Sequence, residues 1–213
     1  MTCDPFSYLY LMSVNQHTNH LSGDETLRPL IALIEPSKLV RRTNVCVRLC
    51  SSIMSQQLST RVADVIFGRF KAIYGDSEPG AMQIAATPHE TLRSIGLSNA
   101  KANYVLNVAN YFIEHDITDE LLYDMEAEEV MALLLPIKGV GKWTIQMLLM
   151  FSLGHEDIFA PDDLGIQQAM VKLYKLDVKD KKILRQQMEN ISLAWSPYRT
   201  HACLYLWRYK DGK

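Results

Sequence analysis

Apolar residues recur along most of this chain at the three- and four-residue spacing of amphipathic helices, whereas alternating strand patterns with hairpin turns are missing. The regularity is clearest in residues 99–114, where four apolar side chains share one helical face: Val105, Val108, Ala109 and Phe112. A helix of this kind must bury its apolar face against another element, and here the neighbouring elements are helices too. The predicted fold class is therefore all-α.

Short polar residues, proline and glycine predict where several of these helices begin and end. Thr87, Pro88 and Glu90 have the spacing of an N-cap, a first-turn proline and the glutamate of a capping box. Gly96 is placed to end that helix in the left-handed conformation, and Ser98 is placed to cap the next one.

Two further boundaries follow from the same residue types. Between Ser51 and Tyr74 a helical region is interrupted at residues 55–59, where short polar side chains compete with the backbone for hydrogen bonds, so we expect a turn there. Ser196-Pro197 has the form of an N-cap followed by a first-turn proline, which predicts a last helix running through Trp207.

The net charge of −2 argues, taken alone, against a nucleic-acid partner, but the charge is unevenly distributed. Residues 114–129 carry eight carboxylates and no Lys or Arg, whereas residues 130–153 carry Lys138 and Lys142 and no acid. Residues 40–71 carry one acid, Asp64, and six basic residues: Arg41, Arg42, Arg48, Arg61, Arg69 and Lys71. One part of the surface is therefore predicted to repel phosphate while others attract it, although solvated helix faces have the same pattern.

The four cysteines occupy positions 3, 46, 50 and 203, and only Cys46 and Cys50 are close in sequence. A spacing of four residues places these two thiols on one face of a helix rather than in a disulfide or a zinc knuckle. We therefore predict small buried thiols.

Neither a membrane span nor a secretion signal is predicted. Apolar stretches such as Met147 to Leu153 are too short to cross a bilayer, and no basic segment precedes an apolar run at the N-terminus. We expect a cytoplasmic protein, associated with the nucleoid if bacterial, with no membrane partner.

Residues 133–144 place a turn bounded by glycines between two apolar helical runs, which is the pattern of a helix-hairpin-helix element. Gly139 and Gly141 allow the backbone to turn with positive φ and to approach another backbone closely. The first turn of the following helix has unpaired N–H groups that suit a DNA phosphate. Lys138 and Lys142 add positive charge without base specificity, so we expect the hairpin to anchor DNA rather than read it. A plain tight turn before a helix has the same glycine pattern.

About twenty residues further on, Pro161 is followed by two acidic residues, Asp162 and Asp163, at the start of another predicted helix. Either aspartate alone is explained as an N-cap, but a cap does not require the second one. The helix dipole favours a charged carboxylate there, and such a carboxylate stabilises positive charge developing on a sugar. We therefore assign the chemistry to Asp163 and the cap or a supporting role to Asp162.

These two segments together resemble the helix-hairpin-helix (HhH-GPD) DNA glycosylases, above all the 3-methyladenine DNA glycosylase II group. The resemblance is carried by Leu-Pro-x-x-Gly-Val-Gly-x-Trp-Thr at 135–144 and Pro-Asp-Asp-Leu at 161–164. Further matching segments are residues 53–59, 92–98 followed by Lys101, and 195–199 leading to 205–207. The similarity extends from about residue 20 to the C-terminus.

The resemblance assigns roles to individual side chains. Asp163 matches the catalytic aspartate, and the phosphate-binding hairpin corresponds to Lys138, Gly139, Val140, Gly141, Lys142 and Thr144. Gln57 matches the side chain that fills the gap left by a flipped base, with Ser59 nearby in the minor groove; without the family, Gln57 would be taken for a surface residue at a helix end. Trp143 and Trp207 match aromatic positions of the base pocket, although tryptophans in such positions are more often part of a core. Met147 stands where some relatives have a tyrosine facing that pocket.

The resemblance also implies what is missing. Relatives that cleave the DNA strand have a lysine nucleophile two residues after the second hairpin glycine, and this chain has Trp143 there, so no Schiff base is expected. Relatives with an iron–sulfur cluster have four cysteines near the C-terminus, where this chain has only Cys203. We predict no cofactor. Whether a cation binds to the backbone carbonyls of residues 137–142 is left open.

By the same similarity the fold has two helical lobes with the active-site cleft between them. Residues 44–153 are predicted to form a central lobe with the hairpin, and residues 1–43 plus 154–213 a second lobe with the catalytic aspartate. The additional N-terminal β domain of larger members has no counterpart in 213 residues. We expect a monomer.

The predicted function is base excision repair by a monofunctional glycosylase that binds double-stranded DNA, flips out a damaged base and hydrolyses its glycosidic bond. Alkylated purines such as 3-methyladenine and 7-methylguanine are the expected substrates. Two alternatives stay open: a glycosylase for deaminated or oxidised bases, and a non-catalytic DNA-binding protein that uses the hairpin only as a phosphate anchor.

Overall fold

The computed structural model describes residues 16–35 and 38–212, and every regular element within them is helical, which confirms the all-α prediction. Residues 16–21 form a first helical segment. The later helices are α1 (Arg28–Leu33), α2 (Val45–Ser55), α3 (Thr60–Ala72), α4 (Ala81–Ala85), α5 (His89–Ser94), α6 (Asn99–Glu114), α7 (Asp119–Asp124), α8 (Ala127–Leu134), α9 (Lys142–Leu148), α10 (Leu164–Tyr174), α11 (Lys181–Ser192) and α12 (Arg199–Asp211). A π-helical turn, Leu149–Leu153, extends α9, and a 3-10 turn, Leu193–Trp195, follows α11.

The helices belong to two compact units. The central unit is Val40–Gly154 and contains α2 to α9. The terminal unit takes the chain before Val40 and from His155 onward, and it contains α1 and α10 to α12.

Helix α2 is the centre of the central unit's core. Val45, Val47, Leu49, Cys50 and Ile53 are completely buried, because α2 packs against α3, α6 and α9. Close packing on several sides holds α2 in one position. The turn that follows it, at residues 56–59, is therefore also held at a defined place in this unit.

The start of α2 is capped from a distant part of the chain. Asp119 Oδ1 accepts a hydrogen bond from the Val45 N–H at 2.8 Å, and Asp119 Oδ2 accepts one from the Asn44 N–H at 2.5 Å. The carboxylate thereby satisfies orphan donors and opposes the helix dipole. At least one acid of the 114–129 run thus has a structural role inside its own unit.

The terminal unit is organised around Trp195, which is fully buried. Its indole N–H donates to Asp24 Oδ2 at 2.9 Å, and the Tyr174 hydroxyl donates to the same oxygen at 2.8 Å. Burial first and the neighbouring Asp24 second raise the pKa of Tyr174 far above its ordinary value. These bonds connect the N-terminal part of the unit to α10 and to the turn after α11.

Several predicted helix boundaries are confirmed. Helix α6 spans Asn99–Glu114, and Ser98 caps it by accepting the Lys101 N–H at 3.2 Å. Gly96 has a φ of +108°, the positive φ that is needed where a right-handed helix ends in a left-handed residue. The predicted break at residues 55–59 is the turn between α2 and α3.

Two predicted caps are wrong because the hydroxyl groups have other partners. The Thr87 hydroxyl donates to the Gln83 carbonyl at 2.8 Å and lies 2.7 Å from the Tyr74 hydroxyl, so α5 begins at His89 with Pro88 at the N-cap. The Ser196 hydroxyl donates to Asp157 Oδ2 at 2.8 Å, and α12 begins only at Arg199. In both cases a partner outside the cap competes successfully for the hydroxyl.

The remaining whole-chain predictions concern cysteines, metals and membranes. Within residues 16–35 and 38–212, Cys46, Cys50 and Cys203 are buried free thiols, as predicted, while Cys3 lies outside the described residues. In the same residues no group of three or more His, Cys, Asp or Glu side chains is arranged to hold a metal ion. None of the described helices has the length and apolar character needed to cross a bilayer.

Candidate functional site

Asp163 is the N-cap of α10 in the terminal unit. One carboxylate oxygen, Oδ1, accepts the Ile166 N–H at 2.9 Å and the indole N–H of Trp207 at 2.8 Å. Two donors on one oxygen fix the plane of the carboxylate, since it can no longer rotate without breaking a bond. The half-buried side chain is thereby held at the first turn of the helix.

Asp162 does not cap the helix, which corrects one of the two roles predicted for it. Arg185 Nη1 donates to both of its carboxylate oxygens, at 2.7 and 2.9 Å. Arg185 Nε also donates to Glu189 Oε1 at 2.9 Å, so the guanidinium links α11 to the loop that precedes Asp163. Because the cap falls to Asp163, only the supporting role of Asp162 stays a prediction, and Arg185 is a partner that the sequence pattern did not indicate.

Trp207 lies against the start of α10 as well as bonding to Asp163. A Cβ atom placed on Gly165 would come within 2.9 Å of Trp207 Cδ1 and 3.2 Å of Asp163 Oδ1. Gly165 therefore leaves the room that the indole occupies. The family resemblance implies a base-pocket position for Trp207, and in the structure its N–H donor is directed to Asp163.

The predicted hairpin, residues 137–142 of the central unit, connects α8 to α9. Gly139 has a φ of +104°, and a Cβ atom there would lie 2.1 Å from the Tyr104 ring. The Val140 N–H donates to the Ile137 carbonyl at 3.0 Å, which closes the turn. Glycine at position 139 is thus required by the chain's own conformation and packing.

Gly141 differs from this, and the predicted positive φ at this position is wrong. Its φ is −104° and its ψ 168°, an extended conformation open to any residue. A Cβ atom on Gly141 would meet nothing within 4 Å among the described residues, and the residue is exposed. The fold of the described chain does not itself explain a glycine at this position.

The charged and carbonyl groups of the hairpin have distinct surroundings. Lys138 and Lys142 are both exposed, whereas Val140 is buried under the turn. Asn107 Nδ2 donates to the Lys138 carbonyl at 3.1 Å and so ties the hairpin to α6. Asn107, like Tyr104, is a supporting residue that only the tertiary structure identifies.

Three large side chains on α9 and its π-helical extension lie on one face. Trp143 and Met147 are four residues apart, and Phe151 follows after four more. Trp143 is 37% exposed and Phe151 40%, while Met147 is half-buried. The two predicted pocket residues of this unit are therefore neighbours, and Phe151 extends their apolar face.

The turn between α2 and α3, residues 56–59, is here called the wedge turn. Gln57 is exposed and has a φ of +59°, a left-handed conformation that is uncommon outside glycine. Ser59 is exposed at the N-cap of α3, where its carbonyl accepts the Ala63 N–H at 3.0 Å. Both side chains thus lie at the surface of the central unit.

The wedge turn has two partners within its unit. Lys101 Nζ donates to the Met54 carbonyl at 2.9 Å and to the Gln56 carbonyl at 2.6 Å. Gln56 Nε2 donates to Thr144 Oγ1 at 3.2 Å. Thr144 is only 2% exposed, so its hydroxyl serves the wedge turn and does not face solvent.

Each unit therefore contains one part of the predicted site. The terminal unit brings together Asp163, Trp207 and the Asp162–Arg185 pair. The central unit contains the hairpin, the wedge turn and the face formed by Trp143 and Met147. The first group offers a fixed negative charge, and the second offers surface cations, exposed backbone and apolar rings.

Comparisons with known proteins agree with these observations. Residues 50–192 match the HhH-GPD superfamily of base excision DNA repair proteins. DNA-3-methyladenine glycosylase 1 of Schizosaccharomyces pombe is 33% identical over 195 residues, which cover 89% of this chain and 84% of the relative.

Solved structures give the same picture. The 3-methyladenine DNA glycosylase of S. pombe in complex with abasic DNA superposes with a TM-score of 0.82 at 31% identity, covering 92% of this chain and 97% of that one. The DNA-3-methyladenine glycosidase of Bacillus halodurans gives a TM-score of 0.76 at 34% identity, covering 90% and 87%.

Proposed function

Since this chain belongs to the HhH-GPD superfamily of base excision DNA repair proteins, we propose that it is a monofunctional DNA glycosylase that releases alkylated purines from duplex DNA. The substrates that we propose are 3-methyladenine and 7-methylguanine in duplex DNA. The observation that carries the proposal is the Asp163 carboxylate, fixed through one oxygen by a helix N–H and an indole N–H.

Asp163 supplies the chemistry. As the bond between C1′ and the base nitrogen breaks, its electrons leave with the base and positive charge develops on the sugar. The carboxylate stabilises that charge, orients the water that attacks C1′, and accepts the proton that this water gives up as the new C–O bond forms. An N3- or N7-alkylated purine is already cationic and leaves as a neutral base, so little general-acid help is needed.

The damaged base is recognised by aromatic faces. Trp143 and Met147 on α9 present an apolar surface, and an electron-rich ring attracts a cationic purine more than a neutral one. Trp207, in the terminal unit, is a further aromatic ring of this kind, and its N–H holds Asp163. Selectivity for alkylated bases then follows from charge as much as from shape.

The DNA backbone is held at the hairpin. Lys138 and Lys142 provide counter-charge, and the first turn of α9 offers N–H groups to a phosphate. Gly141, which the chain's own fold leaves unexplained, allows the phosphate backbone to approach closely. Gln57 enters the stack in place of the extruded nucleotide, with Ser59 beside it in the minor groove.

Strand cleavage is not part of the proposed activity. A glycosylase that also cleaves the strand needs an amine nucleophile for a Schiff base, and Trp143 occupies the position where relatives have that lysine. Lys142 is adjacent in sequence, but consecutive residues of a helix point about 100° apart. We therefore expect hydrolysis that leaves an intact abasic strand.

The test is an excision panel on defined DNA. Release of 3-methyladenine and 7-methylguanine from methylated duplex is compared with release of hypoxanthine and uracil from duplexes that contain one such base, with borohydride trapping in parallel. We expect the alkylated purines to be released, no strand break before alkali, and no trapped adduct. Preferential release of hypoxanthine or uracil would assign the enzyme to neutral lesions, and DNA binding without any release would make it a non-catalytic binding protein.

A further inference from the structure

We propose that Lys101, Gln56 and Thr144 form a brace that holds Gln57 ready for insertion into DNA and couples it to the hairpin helix. All three are positioning residues, and the inference rests on the proposed function because it assigns them to base flipping. All of these groups, and the contacts between them, lie within the central unit.

The first part of the brace is Lys101, which reaches from α6 to the end of α2. Its ammonium donates to the Met54 and Gln56 carbonyls, two of the acceptors that a helix leaves unsatisfied at its C-terminus. Lys101 is half-buried, and this burial lowers the pKa of its amine. A cation at this end of a helix also opposes the helix dipole.

The second part is the conformation of Gln57. The Gln56 carbonyl belongs to the peptide plane that joins Gln56 to Gln57. The 2.6 Å bond from Lys101 therefore restrains the peptide plane from which the φ rotation of Gln57 begins. That φ is +59°, which a glutamine adopts only when its surroundings impose it. The left-handed residue and the bond that restrains it therefore belong to one arrangement.

The third part connects the wedge turn to the hairpin. Gln56 Nε2 donates to the hydroxyl of Thr144, which is buried three residues after Gly141. The side chain of Gln56 thus fixes the wedge turn to the first turn of α9, while its carbonyl is fixed to α6. Gln56 and its two partners therefore add a hydrogen-bonded link between the wedge turn and the hairpin helix to the packing of α2 against α9.

The brace assists base flipping because ordering the wedge turn costs free energy. Filling the gap left by an extruded nucleotide requires Gln57 at one place relative to the gripped strand, and a loose turn would have to be ordered at that moment. A turn ordered in advance avoids this cost, and small displacements of positioning groups reduce rates strongly. The brace does so without touching DNA or base.

The experiment uses Lys101→Met, which keeps the length of the side chain and removes its donors. Binding is measured to a duplex with one tetrahydrofuran abasic analogue and to the matched undamaged duplex, and 7-methylguanine excision is measured in single turnovers. We expect the preference for the abasic duplex and the excision rate each to fall by roughly 10-fold or more. Binding to undamaged duplex, which depends on the hairpin, is expected to change by less than about 2-fold.

A double-mutant cycle separates positioning from general stability. If Lys101 acts through Gln57, Lys101→Met adds little in a Gln57→Ala background, because the two effects are not independent. Lys101→Arg is expected to restore part of the abasic preference. Lys172→Met removes the same charge from a lysine that lies over the Tyr209 ring, and it is expected to behave as wild type.

The outcomes distinguish the brace from the proposed function. A wild-type protein with neither excision nor abasic preference would overturn the proposed function itself. An active wild type with additive effects of Lys101→Met and Gln57→Ala, or with no effect of Lys101→Met, would overturn the brace alone. If Lys101→Met does not fold, Gln56→Met decides, because it removes the side-chain donor to Thr144 and keeps the Gln56 carbonyl, and it must then reduce the abasic preference without changing binding to undamaged duplex.

Discussion

Trp207 has two contacts at the start of α10: it donates its indole N–H to Asp163, the proposed catalytic residue, and lies against Gly165. An aromatic ring recognises a cationic base through its face, while an N–H at its edge holds a carboxylate. If the proposed function is right, one tryptophan links recognition of the base to the position of the Asp163 carboxylate.

Trp207→Phe separates these contributions, because phenylalanine keeps an aromatic face and lacks the donor. A hydrogen bond to a charged acceptor contributes about 1.5 to 3 kcal/mol, so we expect the single-turnover excision rate to fall roughly 10- to 100-fold. Affinity for an abasic duplex should change much less. Equal excision rates in variant and wild type would show that the indole donor has no part in catalysis.

The N-cap position of Asp163 could be predicted from sequence as one of two candidates, but its side-chain partner and that of Asp162 could not. The sequence Pro161-Asp162-Asp163 predicts the start of a helix, and the family motif indicates Asp163 as the residue for the catalytic role. The Trp207 donor lies 44 residues away in sequence, and Arg185 lies 23 residues from Asp162. Neither spacing has a local pattern, because these contacts exist only after α10, α11 and α12 have packed.

Among the elements, the hairpin contains two glycines that look alike in sequence and differ in the structure. Gly139 serves the fold, since its positive φ and the Tyr104 ring exclude a side chain. Gly141 has an ordinary conformation with open space around its Cα. The difference predicts different consequences for the same substitution.

Gly139→Ala should lower the free energy of unfolding by about 2 to 4 kcal/mol, from the strained φ and the overlap with Tyr104. Gly141→Ala should leave it unchanged within about 0.5 kcal/mol and weaken duplex DNA binding roughly 10-fold, because a methyl group keeps the phosphate away. Urea denaturation and DNA titration of the two variants measure both quantities. A Gly141→Ala protein that binds DNA as wild type does would contradict a phosphate contact at this turn.

Helix caps show where local reasoning succeeds and where it ends. Ser98 caps α6 as predicted, since its hydroxyl bonds to a backbone N–H three residues on. Thr87 and Ser196 have the same cap chemistry, but Tyr74 and Asp157 are near their hydroxyls in the folded chain. A cap can be predicted from sequence only where no tertiary partner competes for the side chain.

For the molecule as a whole, the net charge is a poor guide to the partner. A chain of charge −2 that belongs to a DNA repair family must place its acids away from the strand it holds. Asp119 illustrates how this happens, because it caps α2 inside the fold. The distribution of charge in the folded protein decides binding, and composition alone does not report it.

The stability of the whole protein should depend on two buried histidines. The His17 and His201 rings stack at 3.9 Å between centroids, and both are almost fully buried. Burial, and to a lesser extent His17, lowers the pKa of His201 to about 3, and burial also lowers the pKa of His17. Between an ordinary histidine pKa of about 6.5 and the lowered values, the unfolded chain binds protons that the folded chain does not.

Acidification from pH 7 toward pH 4 should therefore reduce the free energy of unfolding, by up to about 1.4 kcal/mol per pH unit for each histidine. Burial raises the pKa of Glu156, which acts in the opposite direction because the folded state then binds the extra proton. His201→Phe keeps a ring on His17 and removes one titrating group, so its urea midpoint should fall less steeply with pH. A variant as acid-sensitive as wild type would exclude His201 as a source of this dependence.

The proposed glycosylase activity depends on the negative charge of Asp163, and Asp163→Asn removes that charge with little other change. Asparagine is also a good N-cap and can accept both bonds now made to Oδ1, so the fold and DNA binding should be kept, with binding within about 3-fold of wild type. Asp180→Asn is the matched control, because Asp180 caps α11 through the Lys182 and Ile183 N–H groups. In single-turnover excision of 7-methylguanine, Asp163→Asn should be slower by roughly 1,000-fold while Asp180→Asn matches wild type. Excision by Asp163→Asn at the wild-type rate would contradict the account.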